Sequence, residues 1–188
     1  MAKRSRPPIP QRERIFIGCE GSSERAYAAW LQTISEQLHL HLHVDSCIAS
    51  TGGGDPLDIV TGCIRQMLQR ERQRGKYSVR AILLDSDRLG GSPDRDRQAT
   101  ALAARHTLSL IFQEYDHESF LLRHFPGHQR DRPPQRHGEN ALRVVWPEYR
   151  KPMTRQDLSL RLGFPDLQRA CAVELELQRF LRQLGFLL

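Results

Sequence analysis

The chain has 188 residues, of which 39% are hydrophobic and 27% are charged, and its formal net charge is +6. This composition excludes a disordered or fibrous protein and suits one globular unit with its own hydrophobic core. No apolar run approaches the roughly 20 residues that cross a bilayer, so we expect no membrane partner and a cytoplasmic location.

The predicted elements alternate between strands and helices along most of the chain. In chain order, we predict a flexible basic tail (1–13), a strand (14–21), a helix (22–38), a strand (39–49), a loop (50–56), a helix (56–73), a strand (79–85), a helix (92–106), a strand (107–113), a short helix (116–125), a loop (126–140) and two closing helices (153–164 and 166–186). Ser22 or Ser23 is placed to cap the first helix, and Asp55 followed by Pro56 is typical of the start of the second.

This alternation predicts an α/β protein with a mostly parallel sheet and helices on both faces. We expect the α/β core to span residues 14–125. Residues 126–188 then form a loop and a helical C-terminal extension that packs on that core.

Acidic residues follow two of the predicted strands directly. Glu20 comes after "IFIGC", and Asp85 and Asp87 come after "AILL" with only Ser86 between them. If these two strands are neighbours, three carboxylates meet at one edge of the sheet, where parallel sheets place their ligands. Mg²⁺ prefers such oxygen ligands. An Asp-x-Asp after a strand also often just caps the next helix, and that alternative stays open.

The basic residues are almost all arginine, since only Lys3, Lys76 and Lys151 are lysines. The guanidinium group matches phosphate oxygens well, which favours a nucleic-acid partner. A genome rich in G and C would produce the same bias without any such partner.

The segments "IFIGCEGSSERAY" and "ILLDSDR" resemble a Toprim domain, the metal-binding module of topoisomerases, primases and several nucleases. The Toprim signature is a Glu after the first strand and an Asp-x-Asp after the third. This chain has both features in that order.

More narrowly, the chain is similar to the RloB-like group of small Toprim proteins found with bacterial defence systems. Glu24 lies in an E-G-x-x-E-x-x-Y pattern, and "EYRK" at 148–151 resembles a late Tyr-x-Lys of that group. The segment "DHESFLLRHF" resembles its Phe-Glu-x-Trp-Leu-Leu-x-His-Phe, which places Glu118 on the Glu and His124–Phe125 on the His-Phe. Where the group has Pro-Cys-Phe before that Glu, this chain has residues 115–117, Tyr-Asp-His.

The resemblance implies an enzyme that depends on Mg²⁺ or Mn²⁺ and cleaves phosphodiester bonds in DNA or RNA, tRNA among them. It also implies a role in antiviral defence and an ATPase of a defence system as a partner. Asp85 and Asp87 would hold the metal, together with Glu20. Glu24 would be a further ligand, or alternatively an exposed acid favoured by the helix dipole.

The same resemblance implies three catalytic residues. Glu20 would bind the metal or act as the general acid or base on the attacking water or the leaving oxygen. Glu118 would complete a second metal position, because two-metal sites stabilise the attacking and leaving oxygens together. Lys151 or Arg88 would neutralise charge on the phosphate.

Two other functions remain open. The first is a Toprim-like subunit that binds metal or nucleotide and regulates a partner protein without cutting. The second is a phosphatase or nucleotidyl-transfer enzyme that acts on small nucleotides. A nuclease predicts arginines beside an open groove that leads to Glu20 and Asp85, whereas an enzyme of small nucleotides predicts a closed pocket.

Overall fold

The four segments that the sequence predicts as strands form the four strands of one sheet. The computed structural model describes residues 11–49 and 54–187, so most of the predicted basic tail lies outside the described residues. The strands are β1 (Glu13–Cys19), β2 (Leu42–Ile48), β3 (Val79–Asp85) and β4 (Ser109–Gln113). Their order is β2-β1-β3-β4 and every pairing is parallel. This confirms the parallel α/β architecture.

Eight helices cover the sheet within the described ranges. They are α1 (Ser22–Gln37), α2 (Pro56–Arg74), α3 (Pro93–Arg105), α4 (His117–Leu122), α5 (Gly138–Val145), α6 (Arg155–Arg161), α7 (Phe164–Cys171) and α8 (Leu175–Gln183). None of these helices is long and apolar enough to cross a membrane.

The helices differ from the prediction in the C-terminal part of the chain. Helix α5 is absent from the prediction because it follows a polar, proline-rich stretch and no side chain caps its first turn. The predicted helix over 166–186 is interrupted between α7 and α8, at residues 172–174. Glu174 is buried there and pairs with the buried guanidinium of Arg123, a contact that lies far away in sequence.

Different helices pack on the two faces of the sheet. One apolar cluster joins Phe16, Ile82 and Leu84 of the sheet to α2 and α3. The other joins Ile17 and Leu83 to α1 and to the C-terminal helices α4–α8. The C-terminal helices therefore complete the larger of the two clusters, and helices cover both faces as predicted.

Gly18 shows how closely α2 approaches the sheet. A Cβ atom at this position would overlap the side chain of Cys63 on α2. Glycine is therefore required in the middle of β1, although it costs strand stability.

Candidate metal centre at the carboxyl edge of the sheet

The acidic residues after β1 and β3 lie at the same edge of the sheet. The two strands are neighbours and pair Cys19 with Leu83, so their carboxyl ends meet. The Glu20 carboxylate (Oε2) accepts a hydrogen bond from the backbone N–H of Asp85 at 3.4 Å. Asp87 follows in the exposed loop after β3. The structure thus brings the ends of the two predicted motifs together.

Asp85 is the most strongly perturbed of these acids. Its Oδ1 atom is buried and has no hydrogen-bond partner among the described residues. Burial raises the pKa of Asp85 to about 9, with further increases from the charges of four carboxylates, those of Glu24, Glu20, Glu118 and Asp87. Without a cation nearby, Asp85 therefore stays protonated at neutral pH.

Glu24 lies one helical turn into α1 and is only 5% exposed. Its carboxylate accepts a hydrogen bond from the backbone N–H of Gly21 at 3.0 Å and so closes the first turn of the helix. The expectation that Ser22 or Ser23 caps this helix is wrong, because Gly21 is the N-cap residue and no side-chain hydroxyl makes the capping bond. The alternative that Glu24 is an exposed helix acid is also wrong, since it is buried.

Glu118 is held at the start of α4, where Asp116 caps the helix by accepting the N–H of Ser119 at 2.7 Å. The Glu118 carboxylate is 4% exposed and accepts a hydrogen bond of 2.6 Å from the Tyr149 hydroxyl. Lys151 Nζ lies 2.9 Å from its other oxygen. Burial alone would raise the pKa of Glu118, but these two partners outweigh it and lower that pKa.

Glu139 is a member of this group that sequence reasoning missed. Its carboxylate lies 3.6 Å from Lys151 Nζ, so the ammonium group is shared between two carboxylates. The residue lies in the first turn of α5, a helix that the sequence pattern does not indicate. No sequence signal places Glu139 beside Lys151, because the contact depends on how α5 packs on α4.

The donor chemistry of this edge fits a divalent cation. The acids supply only carboxylate oxygens, the ligands that Mg²⁺ prefers, and one or two carboxylates together with water molecules suffice for its usual coordination. Within residues 11–49 and 54–187, no three acidic, histidine or cysteine side chains converge closely enough to hold an ion. Carboxylates repel one another when no cation lies between them, and Glu20, Glu24 and Glu118 each accept a hydrogen bond from another group instead.

Arginines lie beside the acidic edge. Arg88 donates to the backbone carbonyl of Gly54 at 3.0 Å, and its charge acts on the Glu20 carboxyl. The segment between α4 and α5, residues 123–137, is fixed to the same edge because the Gln135 amide donates to the Asp87 carbonyl at 3.1 Å. This loop carries two exposed arginines that form no ion pair with the described residues, Arg130 and Arg136.

Comparisons of the chain with protein-family models, with curated proteins and with solved structures gave no match. The resemblance to Toprim domains and to the RloB-like group therefore stays a prediction that rests on the motifs in the sequence.

Proposed function

We propose that the protein is a Mg²⁺- or Mn²⁺-dependent enzyme that hydrolyses phosphodiester bonds in nucleic acid. The observation that carries this proposal is the position of Asp85, whose partly buried carboxyl group lies beside Glu20 and among other carboxylates at the carboxyl edge of a parallel sheet. Burying an acid among acids is costly unless a cation compensates it. Strongly perturbed carboxyl groups at such an edge are typical of functional sites.

Asp85, Asp87, Glu20 and Glu24 are the residues that would hold the cation, which would draw these carboxylates closer together than they lie in the described residues, where no three of them converge. A bound divalent cation neutralises charge on phosphate oxygens and makes water a better nucleophile. If Glu20 does not bind the cation, it would take a proton from the attacking water or return one to the leaving oxygen, a role that the raised pKa of this partly buried carboxyl group suits.

Glu118, whose charge acts on Asp85, would act as a pair with Lys151. The Lys151 side chain is 48% exposed while its ammonium group stays 2.9 Å from Glu118. It can therefore contact a phosphate without leaving its carboxylate partner. Glu118 is kept ionised by Tyr149 and Lys151, so it is ready to serve as a second acidic ligand.

The arginines support a polymeric substrate, DNA or RNA, with tRNA among the RNA candidates. Arg88 and the loop that carries Arg130 and Arg136 lie beside the acidic edge, and all three arginines are exposed, which suits contacts to several phosphates. The role in antiviral defence and the ATPase partner come to the proposal from the RloB-like resemblance.

The deciding experiment incubates the full chain with duplex DNA, single-stranded DNA and tRNA in Mg²⁺, in Mn²⁺ or in EDTA. We expect cleavage only with metal. The cleavage rate of Asp85→Asn should be at least about 100-fold lower than that of the wild type, because losing a metal ligand lowers activity more than losing a residue that only hydrogen-bonds to a ligand. Asp94→Asn, which alters an exposed acid on α3, is the matched control and should cleave like the wild type.

The alternative of a subunit that regulates a partner without cutting makes a different prediction. Mg²⁺ or Mn²⁺ would then raise the melting temperature of the wild type and not of Asp85→Asn, while no nucleic acid is cleaved. Absence of both cleavage and metal stabilisation would contradict the proposed function and this alternative together.

A further inference from the structure

We propose that Gln113 and His117 form a hydrogen-bonded pair that positions the Asp85 carboxylate for the cation. This inference rests on the proposed function, since it assigns two outer residues to the same metal site. Neither residue belongs to the acidic motifs that the sequence indicates. Both are identified by the buried polar atoms that they leave without partners.

Gln113 occupies a place where an apolar side chain would be expected. It is the last residue of β4 and is fully buried. On this face of the sheet, the pair formed by Leu83 and Ile111 is apolar and belongs to the main core. The next pair in register on the same face is Asp85 with Gln113. An amide therefore lies beside the candidate metal ligand on the neighbouring strand.

The orientation of the Gln113 amide is fixed by His117. The imidazole Nδ1 lies 3.2 Å from Gln113 Oε1, and because that oxygen only accepts, Nδ1 carries the hydrogen. His117 is 2% exposed and its ring packs on Phe120 and against the edge of Tyr27. A phenylalanine would make those ring contacts equally well, so packing alone does not explain why this residue is a histidine.

Several polar atoms of the described residues are buried without a hydrogen-bond partner, Ser119 Oγ among them, and three of these atoms belong to this group of residues: Gln113 Nε2, His117 Nε2 and Asp85 Oδ1. Each such atom loses its hydrogen bonds to water on folding without gaining another, so buried polar atoms without partners are uncommon in purely structural regions. Gln113 Nε2 is a donor, Asp85 Oδ1 is an acceptor, and the two residues are register partners.

The chemistry of metal sites accounts for two of these atoms, Gln113 Nε2 and Asp85 Oδ1. Carboxylates that bind metals usually accept a hydrogen bond on the oxygen that does not face the ion, and this bond sets their orientation. We infer that, when a cation is bound, the Gln113 amide donates a hydrogen bond to Asp85 Oδ1 and leaves Oδ2 for the cation. His117 acts only through Gln113, by holding its amide in the orientation that presents Nε2. Both are positioning residues.

The test measures the Mn²⁺ dissociation constant of the full chain by calorimetry. Gln113→Met keeps the length of the side chain and removes the donor, and we expect affinity to fall by about 10-fold or more. Gln66→Met is the control, because Gln66 also donates from a half-buried helix position, to the Ile48 carbonyl, but on the other face of the sheet. Its Mn²⁺ affinity should equal that of the wild type.

Two substitutions of His117 separate positioning from packing. His117→Phe keeps the ring and loses the N–H, so Mn²⁺ affinity should fall. His117→Asn keeps a donor near the place of Nδ1 and should restore most of that affinity, although it loses the ring. If packing were the role, the order of the two variants would be reversed.

The double variant gives an independent check. Since His117 acts through Gln113, adding His117→Phe to Gln113→Met should weaken Mn²⁺ binding no further. Additive losses, or a Gln113→Met variant that binds Mn²⁺ as the wild type does, would overturn the inference and leave the metal site standing. A wild-type protein that binds no Mn²⁺ would overturn the inference and the proposed function together.

Discussion

Asp85 illustrates how one buried acid links the stability of this protein to its chemistry. Its ordinary pKa of 3.8 rises to about 9 in the metal-free fold, chiefly through burial. The folded protein therefore holds a proton that the unfolded chain has lost across most of the neutral range. Folding stability contributed by this group is fully present below about pH 4 and is lost as the pH rises towards 9.

Replacing Asp85 with Asn should remove this pH dependence. In EDTA, we expect the free energy of unfolding of the wild type to fall between about pH 6.5 and 8, with a slope of up to about 1.4 kcal/mol per pH unit from this one proton. Denaturant unfolding of the two proteins at several pH values measures the effect.

The difference in the free energy of unfolding between these two proteins reports on Asp85, because every other titrating group is present in both. The Asn variant should be the more stable of the two at pH 8, although most substitutions destabilise a protein. Parallel curves would show that Asp85 is already ionised in the metal-free fold, and would remove the reason to place a cation beside it.

At the level of the element, α5 is the piece of the fold that assembles the second half of the site. It supplies Glu139 and packs against the start of α4, which carries Glu118. This approach is possible because the first residue of α5 is Gly138. A Cβ atom there would overlap the carboxylate of Asp116, which caps α4, and the hydroxyl of Ser119.

Gly138→Ala should therefore separate α4 from α5. We expect a loss of about 1–3 kcal/mol in the free energy of unfolding, the usual range for overpacking. Urea denaturation measures this loss. Gly91→Ala is the control, since the nearest atom to its new Cβ is a carbonyl oxygen 3.5 Å away, and it should stay within about 0.5 kcal/mol of wild type. Equal midpoints for the two variants would mean that α5 has room to shift without cost.

The same elements show what could be predicted from the sequence and what could not. The strand at 79–85 and the helix that begins at Pro56 follow from an apolar run and from the Asp55 cap, which are local signals. The meeting of Glu20 with Asp85 follows once β1 and β3 are neighbours, because parallel strands share an edge. Local signals predict the elements that carry this half of the site, and the strand order, which they do not predict, brings them together.

The other half of the site depends on tertiary contacts. Glu139 reaches Lys151 only because α5 folds back on α4, and no periodic pattern indicates that contact. Gln113 ends an ordinary-looking strand, and its proximity to Asp85 depends on the register of β3 with β4. The N-cap of α1 differs from the prediction because Ser22 is already helical and Gly21 is the N-cap residue, whose backbone N–H donates to Glu24.

For the whole molecule, the informative property is how its charge of +6 is distributed. Glu20, Asp85 and Asp87 lie at the carboxyl edge of the sheet. Arg88 and the loop over 123–137 lie beside them. Helix α2 leads from β2 to β3, so its last turn, which carries Arg72 and Arg74, lies at the opposite edge. Nonspecific attraction to nucleic acid would use both groups of arginines, whereas a substrate path would use only those near the acids.

The salt dependence of nucleic-acid binding distinguishes these two cases. Each phosphate contact that is lost makes the slope of log K against log salt shallower by about 0.7–0.9. Replacing both Arg130 and Arg136 with Gln should therefore lower the magnitude of the slope by about 1.5 for labelled tRNA or duplex DNA. The measurement is fluorescence anisotropy at several salt concentrations, in EDTA so that cleavage cannot alter the probe.

The paired variant Arg72→Gln/Arg74→Gln removes the same net charge from the far edge. If the polymer runs past the acidic residues, this variant should keep the wild-type slope while the Arg130/Arg136 variant does not. Equal reductions in the two variants would mean that only net charge matters. The arginine loop would then have no special part in binding, and the preference for a polymer over a small nucleotide would lose its support, although the case for the metal site at Asp85 would be unaffected.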